Sequence, residues 1–213
     1  MTDPNAVIRQ AAAMLLGYPD RDWYARLPLI GAAVADLRPG PARRSLGDFL
    51  EYTARTSELD LGAHYVRTFD LKRRRALHLT YYTDGDTRRR GHALARVKEV
   101  YASCGWTADA AELPDHLAVV LEFTARGDRE QGERLLEAFQ PGIELLRGAL
   151  RECASPYADV LDAVAQTLPP PDQARREAAR LAASGPPAED VGRDPYGASP
   201  VPLGMPVPMG GAR

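Results

Sequence analysis

Cysteine is scarce in this chain: its 213 residues include only two, Cys104 and Cys153. Two cysteines are too few for a disulfide framework, and their spacing matches no zinc or redox motif. A reducing compartment therefore suits the chain. Because both residues fall at apolar positions of helical patterns, we expect both to be small residues of the core.

An excess of charge of one sign is also missing. The sequence has 27 Lys and Arg against 29 Asp and Glu, which gives a net charge of -2, and its pI is about 6.1. Bulk attraction to nucleic acid or to an anionic membrane is therefore not expected.

Long hydrophobic runs are the third absence. No uncharged apolar run approaches the ~20 residues that cross a bilayer. The first ten residues, MTDPNAVIRQ, place Asp3 early and show no basic region followed by an apolar stretch, which is the pattern of a secretory signal. We expect a protein that works in the cytoplasm and does not insert into a membrane.

What the chain has instead is helical periodicity over most of its length. Hydrophobic residues make up 45% of the composition, which suffices for one core in a chain of this size. From Pro169 onward prolines crowd in and the apolar period is lost. The sequence predicts an all-α fold: a single compact helical bundle over 1–168 and a Pro-rich, largely disordered tail over 169–213, with room for a short helix over 172–183.

Three local patterns give sharper expectations. Pro28 is expected to delay or kink the start of the second helix. The apolar and aromatic patch 77–82 predicts helical turns rather than a strand. The apolar residues around Leu135 form one amphipathic segment, and those from Ile143 to Cys153 form the next stripe.

Motifs of known catalytic chemistry do not occur. The sequence has no phosphate-binding glycine loop, dinucleotide fingerprint, HExxH or GxSxG, and its four histidines do not lie at metal-ligand spacing. Only Asp115 and His116 place a carboxylate next to an imidazole, and adjacent residues do not share a helix face. The sequence therefore favours neither a metal site nor classical catalysis.

A run of three arginines, 88–90, opens a predicted helix. Cations in the first turn oppose the helix dipole, but Asp84 and Asp86 can offset this by pairing with the arginines. A solvated ion-pair cluster and an anion-binding or partner-binding edge both fit the pattern. The basic run 72–75 presents the same choice.

The segment Glu112 to His116 is the second local feature. Pro114 suits the first helical position, and Asp115 in the first turn can accept backbone amides. A positive helix end also favours a neutral His116. The segment is either a well-built helix start or a rigid loop that presents a carboxylate and an imidazole beside an apolar groove.

Several motifs occur in a fixed order. Residues 65–70 read YVRTFD, 77–82 read LHLTYY and 85–91 read GDTRRRG, while LPDHL at 113–117 is followed by LEF at 121–123. In this order and spacing the chain resembles the NarJ-type assembly chaperones of respiratory nitrate reductase, which belong to a wider group with the TorD and DmsD chaperones. The resemblance is strongest over 61–125 and looser over 3–168.

The resemblance implies an all-α chaperone without enzymatic activity of its own. It implies that the partner is the apo catalytic α subunit of nitrate reductase, held through its N-terminal segment. It implies that the molybdenum cofactor enters this client during the contact, and that docking onto the membrane subunit is delayed until insertion is complete. No cofactor is expected to stay bound to the chaperone itself, and cofactor-delivery proteins are compatible as further partners.

An amphipathic client segment can bind as a helix in an apolar groove edged with carboxylates. Tyr65 and Phe69 are candidates for aromatic contacts with it, and they are equally candidates for the core. The client-binding candidates are Tyr65, Phe69, Asp70, Asp86, Arg89, Glu112, Pro114, Asp115, His116, Leu117 and Glu122. On this interpretation, replacing Asp115 and His116 together weakens client maturation more than it weakens folding.

Two other function classes stay open at this point. A nucleotide-dependent enzyme would use Asp115 and His116 for acid–base chemistry, and turnover of GTP or ATP would reveal it. A nucleic-acid-binding module would use the two arginine clusters, and a gel shift that survives moderate salt would reveal that one.

Overall fold

The computed structural model of the chain describes residues 3–107 and 112–185, and within these ranges the fold is all-α, as predicted. Short π-helical and 3-10 turns, Val66–Asp70 and Arg73–Arg75, join the fourth helix to the fifth. The helices are α1 Pro4–Leu15, α2 Arg21–Ala35, α3 Pro41–Arg55, α4 Glu58–Tyr65, α5 Thr80–Asp84, α6 Arg88–Ser103, α7 Leu117–Arg126, α8 Arg129–Glu152, α9 Tyr157–Ala165 and α10 Asp172–Ser184.

One continuous core holds most of these helices together. Helix α1 packs against α7 and α9, α3 packs against α9, and α8 packs against α7, α9 and α10. An aromatic cluster lies in this core around Tyr157, whose ring centroid is 4.8 Å from that of Phe49 and 4.9 Å from that of Phe69. Tyr65 joins the cluster through Phe69, with a centroid distance of 4.9 Å. Both Tyr65 and Phe69 are therefore core residues.

The start of α2 differs from the expectation. The helix begins at Arg21, seven positions before Pro28, which lies inside it. The side chain of Asp20 caps the helix by accepting a hydrogen bond from the Trp23 amide at 2.8 Å. Because this cap fixes the start, Pro28 removes one internal backbone donor without setting the boundary.

Helix α8 is longer than its sequence pattern indicates. The segment around Leu135 and the stripe from Ile143 belong to one helix of 24 residues, with Pro141 inside it. Gly142 follows the proline and lies against the ring of Tyr82, so that a Cβ there would come 3.2 Å from the ring Cδ2 atom. The proline and glycine thus mark a close contact with α5 rather than a helix break.

The expectation that both cysteines lie in the core was wrong for Cys153. Cys153 is exposed and Cys104 is half-buried; both are free thiols. Each is the C-terminal cap residue of its helix, α8 and α6 respectively. Cys104 still packs against the hydrophobic cluster of Val97, Tyr101 and Phe123, whereas Cys153 lies beyond the last buried residue of α8, Leu150.

The polar helix that the sequence allows over 172–183 is present as α10, which packs on α8. The disorder expected beyond Ser184 concerns residues 186–213, which lie outside the described ranges. The division of the chain at residue 168 stays a prediction. Among the described helices, none combines the length and apolar character needed to cross a bilayer.

Candidate functional site

Asp115 is the most constrained polar residue of the predicted site. It lies just before α7 and is fully buried, with 0% of its surface exposed. Its Oδ2 atom accepts two hydrogen bonds from Thr80, one from the backbone amide at 3.0 Å and one from the hydroxyl at 2.6 Å. Because Thr80 is the first residue of α5, the carboxylate fixes the start of that helix.

Two backbone hydrogen bonds reinforce this contact. The Leu79 amide donates to the Asp115 carbonyl at 3.1 Å, and the Leu117 amide donates to the Leu77 carbonyl at 2.8 Å. They form an isolated antiparallel β-bridge between His78 and His116. We call residues 77–80 and 115–117 together the 78–116 clamp.

The 78–116 clamp corrects two expectations from the sequence. Only the second half of the patch 77–82 is helical, because backbone groups of residues 77–79 form the hydrogen bonds of the bridge. Pro114 is not the first helical residue of α7, which begins at Leu117 with His116 as its cap. Asp115 therefore caps α5, across the fold, rather than the helix that follows it in sequence.

The imidazole of His78 lies in contact with Asp115. Its Nδ1 atom is 3.4 Å from Asp115 Oδ1, an ion-pair distance when the imidazole is protonated, although it is too long for a good hydrogen bond. Burial by itself raises the pKa of Asp115, but the contact with His78 and the hydrogen bonds from Thr80 outweigh burial. The pKa of this carboxyl group therefore lies below its ordinary value, and Asp115 is ionised near neutral pH.

His116 is held as a neutral imidazole. Its Nδ1 atom accepts a hydrogen bond from the Ala118 amide at 3.3 Å, and its ring meets that of His78 edge-on with centroids 5.2 Å apart. Burial and the charge of His78 lower the pKa of His116 to about 4, against the opposing influence of Asp115. The direction is the one expected at a helix start, but burial is its main cause.

We expect the folded protein to lose stability in acid because of His116. Its pKa rises from about 4 in the folded chain to the ordinary 6.5 on unfolding, so the unfolded state binds more protons between these values. The lowered pKa of His116 contributes about 3 kcal/mol to the free energy of unfolding. This contribution is fully present above pH 6.5 and is lost as the pH falls toward 4. Urea unfolding from pH 4 to 7 measures it.

His116→Asn is the matched control for that experiment. Asparagine also caps helices through its side-chain oxygen but does not titrate in this range. The difference in unfolding free energy between the two proteins should change by 2 kcal/mol or more, on the order of the full linkage term, between pH 7 and pH 4. Parallel curves for the two proteins over that range would contradict the assignment.

Neighbouring side chains tie the 78–116 clamp to α6. The Tyr101 hydroxyl donates to the Pro114 carbonyl at 2.8 Å, and Arg90 Nε lies 3.3 Å from the Thr80 hydroxyl. Asp86 pairs with Arg90 at 3.4 Å and with Arg73 at 3.1 Å. The ion-pair cluster allowed by the sequence thus exists at Asp86, and it links both basic runs to the clamp.

The predicted site residues divide by accessibility. Tyr65, Phe69, Pro114, Asp115, His116 and Leu117 are buried; Asp70, Asp86, Arg89 and Glu112 are exposed; and Glu122 is half-buried. Glu122 is paired with Arg126 at 2.7 Å. In this conformation a partner can touch the exposed residues, whereas the buried ones shape what the partner meets. Their role in client binding stays a prediction.

A concavity of about 390 Å³ adjoins the 78–116 clamp, and sequence reasoning missed it. It lies between α5, α8 and α10, and we call it the α8 groove. Its lining residues are Arg74, Tyr81, Tyr82, Glu144, Leu145, Gly148, Ala149, Glu152, Leu181, Ala182 and Gly185. The signal in the sequence was the tyrosine pair that directly follows Thr80, together with glycines on the facing stretch of α8.

The clamp determines the position of the tyrosines in the α8 groove. Asp115 holds the first residue of α5, and Tyr81 and Tyr82 are the next two. The Tyr82 hydroxyl donates to the Ala76 carbonyl at 2.9 Å, which fixes the other end of its ring. The buried contact between Asp115 and Thr80 thus determines where the two tyrosines line the groove.

A second concavity, of about 470 Å³, continues from the α8 groove. It is formed by the segment 71–75 and the end of α8, and it shares Arg74, Ala149 and Glu152 with the groove. Leu71 on its edge is 66% exposed. Apolar and charged residues therefore both line the two adjoining concavities at the end of α8.

Comparison with known proteins assigns the chain to a family. The sequence model of the family described as nitrate reductase delta subunit matches residues 36–163. The chain is 32% identical over 167 residues to the Bacillus subtilis protein named "probable nitrate reductase molybdenum cofactor assembly chaperone NarJ", across 78% of this chain and 91% of that protein. It is 31% identical over 150 residues to the nitrate reductase molybdenum cofactor assembly chaperone NarJ of Escherichia coli, across 70% of this chain and 64% of that one.

A longer relative and a solved structure extend the comparison. The chain is 39% identical over 161 residues to the nitrate reductase-like protein NarX of Mycobacterium tuberculosis, but it spans only 24% of the length of that protein. A crystal structure described as a redox enzyme maturation protein from Archaeoglobus fulgidus has the same fold, with a TM-score of 0.57 at 19% identity over 78% of this chain and 94% of that one. The chain therefore belongs to the nitrate reductase delta subunit family, the family of the NarJ-type assembly chaperones.

Proposed function

We propose that this protein is the assembly chaperone of a respiratory nitrate reductase. It binds the apo catalytic α subunit through that subunit's N-terminal segment, supports insertion of the molybdenum cofactor, and delays docking onto the membrane subunit until insertion is complete. Its relatives in Bacillus subtilis and Escherichia coli are named as molybdenum cofactor assembly chaperones of nitrate reductase. We assign binding rather than catalysis to this chain as well.

The observation that carries the proposal is the α8 groove beside the 78–116 clamp. The motifs that resemble the family, LHLTYY and LPDHL, meet in the clamp, and the tyrosines of the first motif line the groove. An apolar concavity with a few charged groups at its edge is the usual form of a peptide-binding site. This arrangement supports a binding role for the family motifs rather than a catalytic one.

The charges around the α8 groove suit a client segment that carries basic residues. Glu144 and Glu152 both line it, and Arg74 is 3.8 Å from Glu152 on the exposed side. Carboxylates at a groove edge select basic client residues and set the register of a bound helix. Ordering the segment offsets part of the contact energy, by roughly 2–5 kcal/mol, which suits a contact that must be released.

The molybdenum cofactor is cargo for the client in this proposal. Within residues 3–107 and 112–185, no group of three or more His, Cys, Asp and Glu side chains could hold a metal ion. We therefore assign no residue of the chain to the cofactor. What the chain supplies is a surface that holds the client while the cofactor enters.

We expect isothermal titration to detect binding of a synthetic peptide with the N-terminal sequence of the partner α subunit. Gly148→Arg should weaken this binding at least tenfold, about 1.4 kcal/mol. The reason is that Gly148 lines the α8 groove and has open space around its Cβ position, so a long side chain fills the groove without disturbing the helix.

Gly47→Arg provides the matched control. Gly47 lies in α3, away from the groove, and a Cβ added there would likewise have nothing within 4 Å. The control should bind the peptide as the unmodified protein does. Absence of heat with both the peptide and the full apo subunit would refute the proposed function, whereas equal affinities of the two variants would move the binding surface elsewhere.

A further inference from the structure

Helix α10 packs on α8, and its C-terminal end forms one wall of the α8 groove. Ala174 and Ala178 are its buried residues, each 6% exposed, and Leu181 beyond them is half-buried. Alanine methyl groups remove little apolar surface from water compared with leucine or phenylalanine. The helix therefore covers this face of α8 without being strongly anchored to it.

The space between α8 and α10 is not filled. A concavity of about 590 Å³ lies at the start of α10, between it and residues Glu137, Gln140 and Pro141 of α8. The α8 groove opens at the other end, lined by Leu181 and Ala182. Because both concavities open beside the small side chains of α10, this face of α8 has room for a helix with larger side chains.

Removing α10 would not leave the carboxylate of Glu144 unpaired. Arg175 pairs with Glu144 at 3.4 Å, but Glu144 also accepts hydrogen bonds from Arg147 at 3.1 and 3.2 Å. A further polar tie is the Gln140 side-chain amide, which donates to the Pro169 carbonyl at 2.8 Å. An unpaired buried charge is the usual penalty for opening such an interface, and Arg147 avoids that penalty at Glu144.

Helix α10 lies beyond the end of the family match. The match ends at residue 163, and α10 begins at Asp172. The outer face of α10 carries Arg176, Ala179 and Arg180, all exposed. It is thus an amphipathic helix that packs on α8 through one face.

We propose that α10 is a displaceable cover of the face of α8 that continues from the α8 groove, and that the client's amphipathic segment replaces α10 when it binds. This inference rests on the proposed function and assigns regulation to the same site. The client helix that fits has larger apolar residues where α10 has Ala174 and Ala178, and a basic residue where α10 places Arg175 against Glu144. Competition with the chain's own helix lowers the apparent affinity and keeps the client releasable.

Two neighbouring alanines of the full-length chain allow a matched test. Ala178 faces α8 and is buried, whereas Ala179 is exposed. Ala178→Asp buries a carboxylate between α10 and α8 and should release α10, which raises the affinity for the α-subunit peptide about fivefold or more. Ala179→Asp carries the same charge and the same helix propensity, and should bind as the unmodified protein does.

A variant that holds α10 more tightly should have the opposite effect on peptide binding. Ala174→Leu fills part of the concavity that Ala174 lines between α10 and α8, and should weaken peptide binding about threefold or more. Hydrogen exchange supplies a second readout: backbone amides of α10 should exchange faster when the peptide is added to the unmodified protein.

The outcomes distinguish failure of the proposal for α10 from failure of the proposed chaperone function. If the unmodified protein binds the peptide and Ala178→Asp binds it equally or more weakly, α10 is not a cover, and the proposed function stands. If no variant binds the peptide or the apo subunit, the proposed function fails, and the cover fails with it.

Discussion

Asp115→Ala should lower the free energy of unfolding by about 3–5 kcal/mol, the range for breaking a buried charged network. The carboxylate is fully buried and holds both the amide and the hydroxyl of Thr80. Its removal leaves the amide and the hydroxyl of Thr80, which is itself buried, without this acceptor. Urea unfolding at pH 7 measures the loss.

Asp70→Ala is the control for this experiment, because Asp70 is a predicted site carboxylate that is exposed. Its effect on stability should stay within about 0.5 kcal/mol, as for most surface substitutions. Asp115→Asn should fall between the two, because it keeps an oxygen for the Thr80 amide but loses the charge. A loss below 1 kcal/mol for Asp115→Ala, on the order of one net hydrogen bond, would mean that the clamp is not formed as described.

This result bears on how the Asp115 motif works. The sequence suggests a carboxylate and an imidazole offered to a client, whose joint replacement harms maturation more than folding. The burial of Asp115 and His116 favours the opposite order, in which folding suffers first. On the proposed function we expect client binding to weaken as a consequence, because α5 then no longer holds Tyr81 and Tyr82 in the wall of the α8 groove.

Helical periodicity predicts most of the helices of the fold, because burial of one face of each helix is a local property of the sequence. Boundaries were less predictable where a proline was involved. Pro28 and Pro141 both lie inside helices, since a strong cap or a favourable tertiary contact outweighs the loss of one backbone hydrogen bond. Pro114 precedes its helix instead, because Asp115 and Leu117 use their backbone groups in the bridge to residues 77–79.

The site was harder to derive than the fold because its contacts are long-range. Thr80 and Asp115 are 35 positions apart, and no local pattern states that the carboxylate caps a helix preceding it by that distance. The α8 groove combines residues from Arg74 to Gly185. The resemblance to a family identifies which motifs matter, but only the packing of α5 on α8 shows that Tyr82 and Gly142 meet.

The second large effect is expected at Gly132, where α8 passes closest to α7. A Cβ at this position would lie 2.6 Å from both the Cα and the hydroxyl oxygen of Thr124. The obstacle includes backbone, so a side-chain rotation cannot relieve it and the helices must move apart. Gly132→Ala should therefore destabilise the protein by about 2–3 kcal/mol even after the gain in helix propensity, which lowers the melting temperature by roughly 4–12 °C.

Gly148→Ala is the matched control, because it makes the same change in the same helix where nothing lies within 4 Å of the added Cβ. Without a steric conflict, the propensity term acts alone, and stability should rise by about 0.5–1 kcal/mol. The sign of the effect thus distinguishes close approach from helix propensity. If Gly132→Ala is as stable as Gly148→Ala, then α7 and α8 are not in contact at Thr124. The start of α7, which carries one half of the 78–116 clamp, would then need a different position relative to the α8 groove.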